Sequence, residues 1–296
     1  MKYLRASLLA AFALIALQPD SSAQMPPSAA TPPSFDATAQ ETRMFYFPSR
    51  EVRPMNKWGA TEVAVVRTGE PTTYGYLMSP TARAHEASVF FLHGAGANAT
   101  HFEAMYIPLI SGGFQVFAYD WRGYGKSEGV STHLGARSDV IAAFDQFVSR
   151  PDVVGKPVVV YGQSIGGQLA IALANARRER ITALVVDGSA TSFLELAIDN
   201  APNPALKAAL TTNPSIVSEP YRAIDDIAQL HALPKLIIQS ADDSNVPRAR
   251  GEALLAAAAT PKQFWLTQGP HIATLTRFPD ETVQRLRALL KPPAQQ

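Results

Sequence analysis

Val158-Val159-Val160-Tyr161-Gly162-Gln163-Ser164-Ile165-Gly166-Gly167-Gln168-Leu169-Ala170 is the stretch around which the chain is organised. An apolar, β-branched run stops at Gly162, Ser164 follows, two glycines come next, and an alanine- and leucine-rich helical pattern begins. This reads as a strand, a tight turn and a helix, and Gly162 to Gly166 fits G-x-S-x-G. The flanking glycines leave room that a Cβ would fill, so the serine hydroxyl is expected to stand clear of the sheet edge. A serine placed by chance in a strand-to-helix loop would not explain both the strand before it and the helix after it.

Outward from that turn, short apolar runs alternate with helical patterns. Strands are expected at 61–66, 73–78, 87–92, 113–119, 158–161, 181–186, 235–239 and 263–266. Helices are expected at 97–111, 134–148, 165–178, 248–259 and 280–290. The first two strands, split by Gly69-Glu70-Pro71, suggest an antiparallel entry. The rest predict an α/β fold, a mostly parallel central sheet with helices on both faces. In such a sheet ligands sit beyond the carboxyl ends of the strands.

The chemically interesting residues fall at those ends. After Val89-Phe90-Phe91-Leu92 comes His93-Gly94-Ala95-Gly96, small residues that let a backbone N–H approach a ligand oxygen. The N–H groups of Ala95 and Ile165 would form an oxyanion hole. A serine nucleophile needs a base, and the base an orienting acid. Of the six histidines, His271 alone follows a late strand and precedes the final helix, so it is the best base. His93 reads as a turn brace. Three carboxylates, Asp187, Asp242 and Asp243, follow strands and could serve as the acid. Asp120 with Arg122 reads as a loop-bracing pair.

Phe91-Leu92-His93-Gly94, Tyr119-Asp120-Trp121-Arg122-Gly123-Tyr124-Gly125-Lys126-Ser127, the serine turn, Asp243-Ser244-Asn245-Val246-Pro247 and Gly269-Pro270-His271 together resemble the α/β-hydrolase superfamily. More narrowly they resemble its small serine hydrolases of the Bem46 and monoacylglycerol-lipase-like kind. The resemblance runs from about Thr61 to Leu290. It implies the α/β-hydrolase fold with a short cap insertion, and a triad whose acid stands three residues before the Val of D-x-x-V-P, which is Asp243. Two positions depart from the pattern: Trp121 replaces Tyr or Phe, and Ala95 stands where relatives often have Asn.

The 296 residues, 47% of them hydrophobic, can bury a full-sized core, and a formal net charge of +1 gives no field for nucleic acid. No metal-ligand spacing appears, and no cofactor is called for. Met1 to Arg5 with the apolar run Ala6 to Leu17 reads as a signal peptide, cleaved after Ala23, with no stable membrane span after cleavage. The chain is thus expected to be secreted or periplasmic. Residues 24–42, rich in Pro, Ser and Ala, read as a disordered linker, 43–292 as the catalytic domain, and 188–231 as a partly apolar cap over the site. The expected activity is cleavage of a small-molecule carboxylic ester through an acyl-enzyme. The alternatives are a serine peptidase or acyltransferase on the same framework, and a non-catalytic binding protein.

Overall fold

Alternate residues along each central strand enter different cores, and this sorting builds the molecule. Along β3 (Ala87–Leu92), Phe90 and Leu92 join one buried cluster while Ala87, Val89 and Phe91 join another on the opposite face. β5 (Val158–Gln163) divides likewise, Val158 and Val160 against Val159 and Tyr161. Side chains alternate across a strand, so a fully apolar run requires cover on both faces.

The structure is a computed structural model that describes residues 37–55, 59–81 and 84–291. The expected signal segment and residues 24–36 of the expected linker lie outside the described residues. With β1 (Thr61–Val65), β2 (Thr73–Met78), β4 (Phe114–Asp120), β6 (Ala183–Asp187), β7 (Lys235–Ser240) and β8 (Lys262–Thr267), the strands form one sheet in the order β8-β7-β6-β5-β3-β4-β2-β1. β2 runs antiparallel to β1 and β4; every other pairing is parallel. The mostly parallel sheet and its antiparallel entry are as the sequence predicts.

The helices are α1 (Ala37–Phe45), α2 (Glu103–Ser111), α3 (His133–Val148), α4 (Ile165–Arg177), α5 (Phe193–Asp199), α6 (Pro204–Thr212), α7 (Ala223–Ala228), α8 (Arg248–Ala257), α9 (Thr274–Arg277) and α10 (Pro279–Leu289). Apolar residues of α3, α4, α7 and α8 fill the core on one face, and those of α2, α9 and α10 fill the other. Phe90, wholly buried, meets the rings of Phe117, Tyr119, Phe144 and Phe147 at centroid separations of 5.4–6.0 Å. Truncating such a side chain to alanine typically costs about 3–5 kcal/mol.

Three local expectations change. Residues 37–42, read as linker, belong to α1, whose last turn buries Met44 and Phe45. The helix expected over 97–111 is broken: the Asn98 side chain caps a 3-10 turn (Ala99–His101), accepting from the Thr100 N–H at 3.0 Å, and α2 starts afresh at Glu103. Within 188–231, α7 packs on α4 and α8 as a helix of the sheet layer, so the overhang consists of α5 and α6. Among the described residues no helix is long and apolar enough to cross a membrane.

Candidate active site

Ser164 lies between β5 and α4 with φ 55° and ψ −121°, a conformation that a residue with a Cβ adopts only when its surroundings enforce it. Two contacts do so. The Ser164 N–H donates to the Asp187 carbonyl at the end of β6 (2.9 Å), and α4 passes so close to the end of β3 that a Cβ on Gly166 would stand 2.3 Å from the His93 carbonyl oxygen. The turn therefore needs glycine at 166, and the sheet holds the serine where helix α4 begins. There the N–H of Ile165 is among the amides that a helix start leaves without an intrahelical partner.

His271 sits in the loop after β8 and is buried, as is Asp243 in the loop after β7. The His271 Nδ1 and the Asp243 Oδ2 are 2.6 Å apart. Asp243 is itself held: its Oδ1 accepts the N–H groups of Asn245 and Val246, both at 2.9 Å, and Gln239 Nε2 approaches Oδ2 at 3.4 Å. Gly188, at φ +62°, backs this pair, since a Cβ there would lie 3.0 Å from His271 Cε1 and 3.3 Å from Asp243 Oδ2.

The other two carboxylates do different work. Asp242 is exposed, and its Oδ2 accepts the Gly269 N–H at 2.9 Å, tying two loops. Asp187 is buried behind the serine turn, where it accepts from Tyr161 Oη (3.2 Å), Gln163 Nε2 (3.3 Å) and Thr274 Oγ1 (3.2 Å). Burial pushes its carboxyl up to about 6, against which these hydrogen bonds and the nearby His271 pull. Gln163 Nε2 also reaches the Ile272 carbonyl at 3.2 Å, so the residue before the serine ties the loop that carries His271.

His93 braces its loop: Nε2 meets Asp120 Oδ1, and its ring stacks 4.3 Å from that of Trp121. The expected Asp120–Arg122 pair does not form. Arg122 instead donates to Asp139 of α3 through Nε and Nη2, both at 2.7 Å, and to Glu70 at 2.8 Å. Asp120 and Arg122 flank Trp121 at a strand end, and sequence proximity there did not bring the two side chains together.

Ser164, His271 and Ala95 line one cavity of about 30 Å³. Leu196 and Ala197 of α5 and Asn200 just beyond it roof the cavity, Asn245 and Val246 close it from the Asp243 loop, and Met44, Phe45 and Phe47 wall it from the N-terminal side. The structure thus gathers Ser164, His271, Asp243 and Ala95, with Ile165 adjoining, and leaves Asp242 and Asp187 outside. The N-terminal wall was not read from the sequence, although the apolar run Met44-Phe45-Tyr46-Phe47 directly after a Pro/Ser/Ala-rich stretch was its signal. No group of three or more His, Asp or Glu able to hold a metal occurs among the described residues.

Residues 83–221 match the hydrolase family described as "Serine aminopeptidase, S33". Bem46 of Schizosaccharomyces pombe is 30% identical over 195 residues, covering 62% of this chain and 60% of that protein. The chain has the α/β-hydrolase fold. In sequence it is similar to the Bem46-like branch of the α/β-hydrolase superfamily. It is also 29% identical over 235 residues to the Escherichia coli K12 protein YfhR, described as uncharacterized, covering 77% of this chain and 79% of YfhR. In fold, this α/β-hydrolase is similar to the Pyrococcus furiosus esterase Pf2001, with a TM-score of 0.65 at 20% identity over 82% of this chain and 98% of the esterase. The matched family segment contains Ser164 and Asp187, whereas Asp243, His271 and the wall formed by Met44, Phe45 and Phe47 lie outside it.

Proposed function

We propose that this hydrolase is an exported serine esterase that cleaves small carboxylic esters through an acyl-enzyme. The observation that carries the reading is the linkage of one cavity to a held acid: Ser164 and His271 face the same space, and the far nitrogen of His271 lies 2.6 Å from an Asp243 fixed by backbone amides.

Ser164 Oγ attacks the carbonyl carbon while His271 Nε2 takes its proton. The carbonyl π bond becomes an oxyanion that meets the N–H groups of Ala95 and Ile165. Collapse of this intermediate breaks the C–O bond to the alcohol, which leaves with the proton from His271. Water then attacks the acyl-serine, His271 takes and returns a second proton, and the carboxylic acid departs. Asp243 holds the imidazole in the tautomer with Nδ1 protonated, so that Nε2 can accept.

The family description also raises an aminopeptidase reading. An aminopeptidase needs an acidic partner for the substrate ammonium, and among the described residues the cavity is lined without Asp or Glu. Apolar walls favour an ester. The test is a panel of p-nitrophenyl esters, thioesters, anilides and aminoacyl anilides against the wild type and Ser164→Ala. Ester turnover lost in the variant supports the reading; turnover confined to aminoacyl anilides would replace it. Export rests on the segment 1–23, and N-terminal sequencing of extracellular or periplasmic protein should begin at Gln24.

A further inference from the structure

The cavity at Ser164 is small, and two anchored elements keep it so. Its volume is about 30 Å³, room for about two waters at the roughly 10–15 Å³ each requires, and well below the ~300–1,000 Å³ of pockets that enclose drug-sized ligands.

One wall is α1 with the residue two places beyond it. Thr42 Oγ1 donates to the Ser131 carbonyl at 2.7 Å, and Tyr46 Oη lies 2.8 Å from His133 Nδ1. The Phe45 ring packs 5.0 Å from His133 and 5.4 Å from Phe193. The Phe47 N–H donates to the Ala95 carbonyl at 2.9 Å, so the wall is joined to the loop beside the serine.

The roof is fixed as well. Arg250 of α8 grips Asp199 of α5 through two bonds, at 2.7 and 3.0 Å, and pairs with Glu195 at 2.7 Å. Asn200 Nδ2 donates to the Asn245 carbonyl at 2.9 Å, linking the roof to the loop of Asp243. Bidentate, charge-assisted contacts of this kind hold geometry as well as energy. A long chain would have to break them to enter.

The acyl group stays bonded to Ser164 through both half-reactions, whereas the alcohol must leave after the first. A confined apolar space against the serine suits the part that stays. We propose that the enzyme is selective for short acyl groups, of about two to four carbons, and that α1 and α5 together set this limit. The proposal rests on the ester-hydrolase reading above.

The test uses the full chain and compares kcat/KM for p-nitrophenyl acetate, butyrate and octanoate in the wild type, Phe45→Ala and Leu196→Ala, with thermal melting to establish folding. The wild type should cleave octanoate about tenfold or more less efficiently than acetate, and each folded variant should raise the octanoate-to-acetate ratio by about tenfold or more. Should Phe45→Ala fail to fold, Met44→Ala tests the same wall. Wild-type preference for octanoate, or a ratio unmoved in folded variants of both elements, overturns the length limit while leaving the esterase standing. A folded wild type that cleaves none of the three esters overturns the esterase reading and the limit with it.

Discussion

His93 Nε2 lies 3.0 Å from Asp120 Oδ1, and the other nitrogen of the same ring lies 2.6 Å from the Gly94 carbonyl oxygen. That carbonyl has no proton to give, so Nδ1 donates. The Gly94 carbonyl and the Ala95 N–H belong to one planar trans peptide and point in opposite directions. Holding the first aims the second. Asp120, which also accepts the Ala99 N–H at 2.6 Å, fixes the ring that does the holding. On the proposed mechanism, His93→Ala should lower kcat by about 10- to 100-fold with a smaller change in KM, somewhat less than the roughly 10²–10³-fold loss expected when an oxyanion donor is removed outright. Steady-state kinetics check the split; equal activity would show that the peptide keeps its place unaided.

The neighbouring aspartates 242 and 243 should behave oppositely. Asp243→Asn removes the carboxylate that sets the His271 tautomer, and kcat should fall by about 10³–10⁴-fold. Asp242→Asn retains a carbonyl oxygen for the Gly269 N–H and should stay within about twofold of wild type. Ester assays on the two purified variants decide the matter.

Asp187 gives a stability prediction with a definite sign. Its folded carboxyl is raised to about 6 by burial, so the folded state holds the proton more tightly than the unfolded chain. The resulting contribution is full below the unfolded value near 3.8, declines as pH rises, and is lost above about 6, where the fold carries a buried charge. Asp187→Asn should therefore be more stable than wild type at pH 7.5, by on the order of 1–3 kcal/mol, with the advantage shrinking toward pH 4. Urea unfolding at the two pH values measures this, and a pH-independent difference would contradict it.

Gly188→Ala should damage both stability and rate. Its φ of +62° penalises a Cβ, and that Cβ would press on the ring of His271 from 3.0 Å. A loss of about 1 kcal/mol or more is expected from the backbone alone, together with reduced kcat. Thermal melting and ester kinetics on the same preparation read the two effects.

Much of the sheet was legible because its strands are unbroken apolar runs. β3 matches its expected bounds, and β5 and β7 extend theirs by one or two residues. The positions of Ser164, Asp243 and His271 beyond strand ends were legible for the same reason. Contacts between distant elements were not. Nothing in Asp120 and Arg122 signals that a histidine 27 residues upstream takes the first and Asp139 of α3 the second. Asp242 and Asp243 are chemically alike in sequence, and only the resemblance ranked them. α1 was missed because proline and small residues dominate the stretch before it, and its burial depends on partners such as Ser131, His133 and Phe193.

The central claim is that Ser164 is the nucleophile. Fluorophosphonate labelling of the folded full chain, followed by peptide mass spectrometry, tests it most directly. The account predicts a single adduct on the peptide carrying Ser164 and none in Ser164→Ala. Equal labelling of that variant, or no labelling of a wild type that cleaves esters, would contradict it.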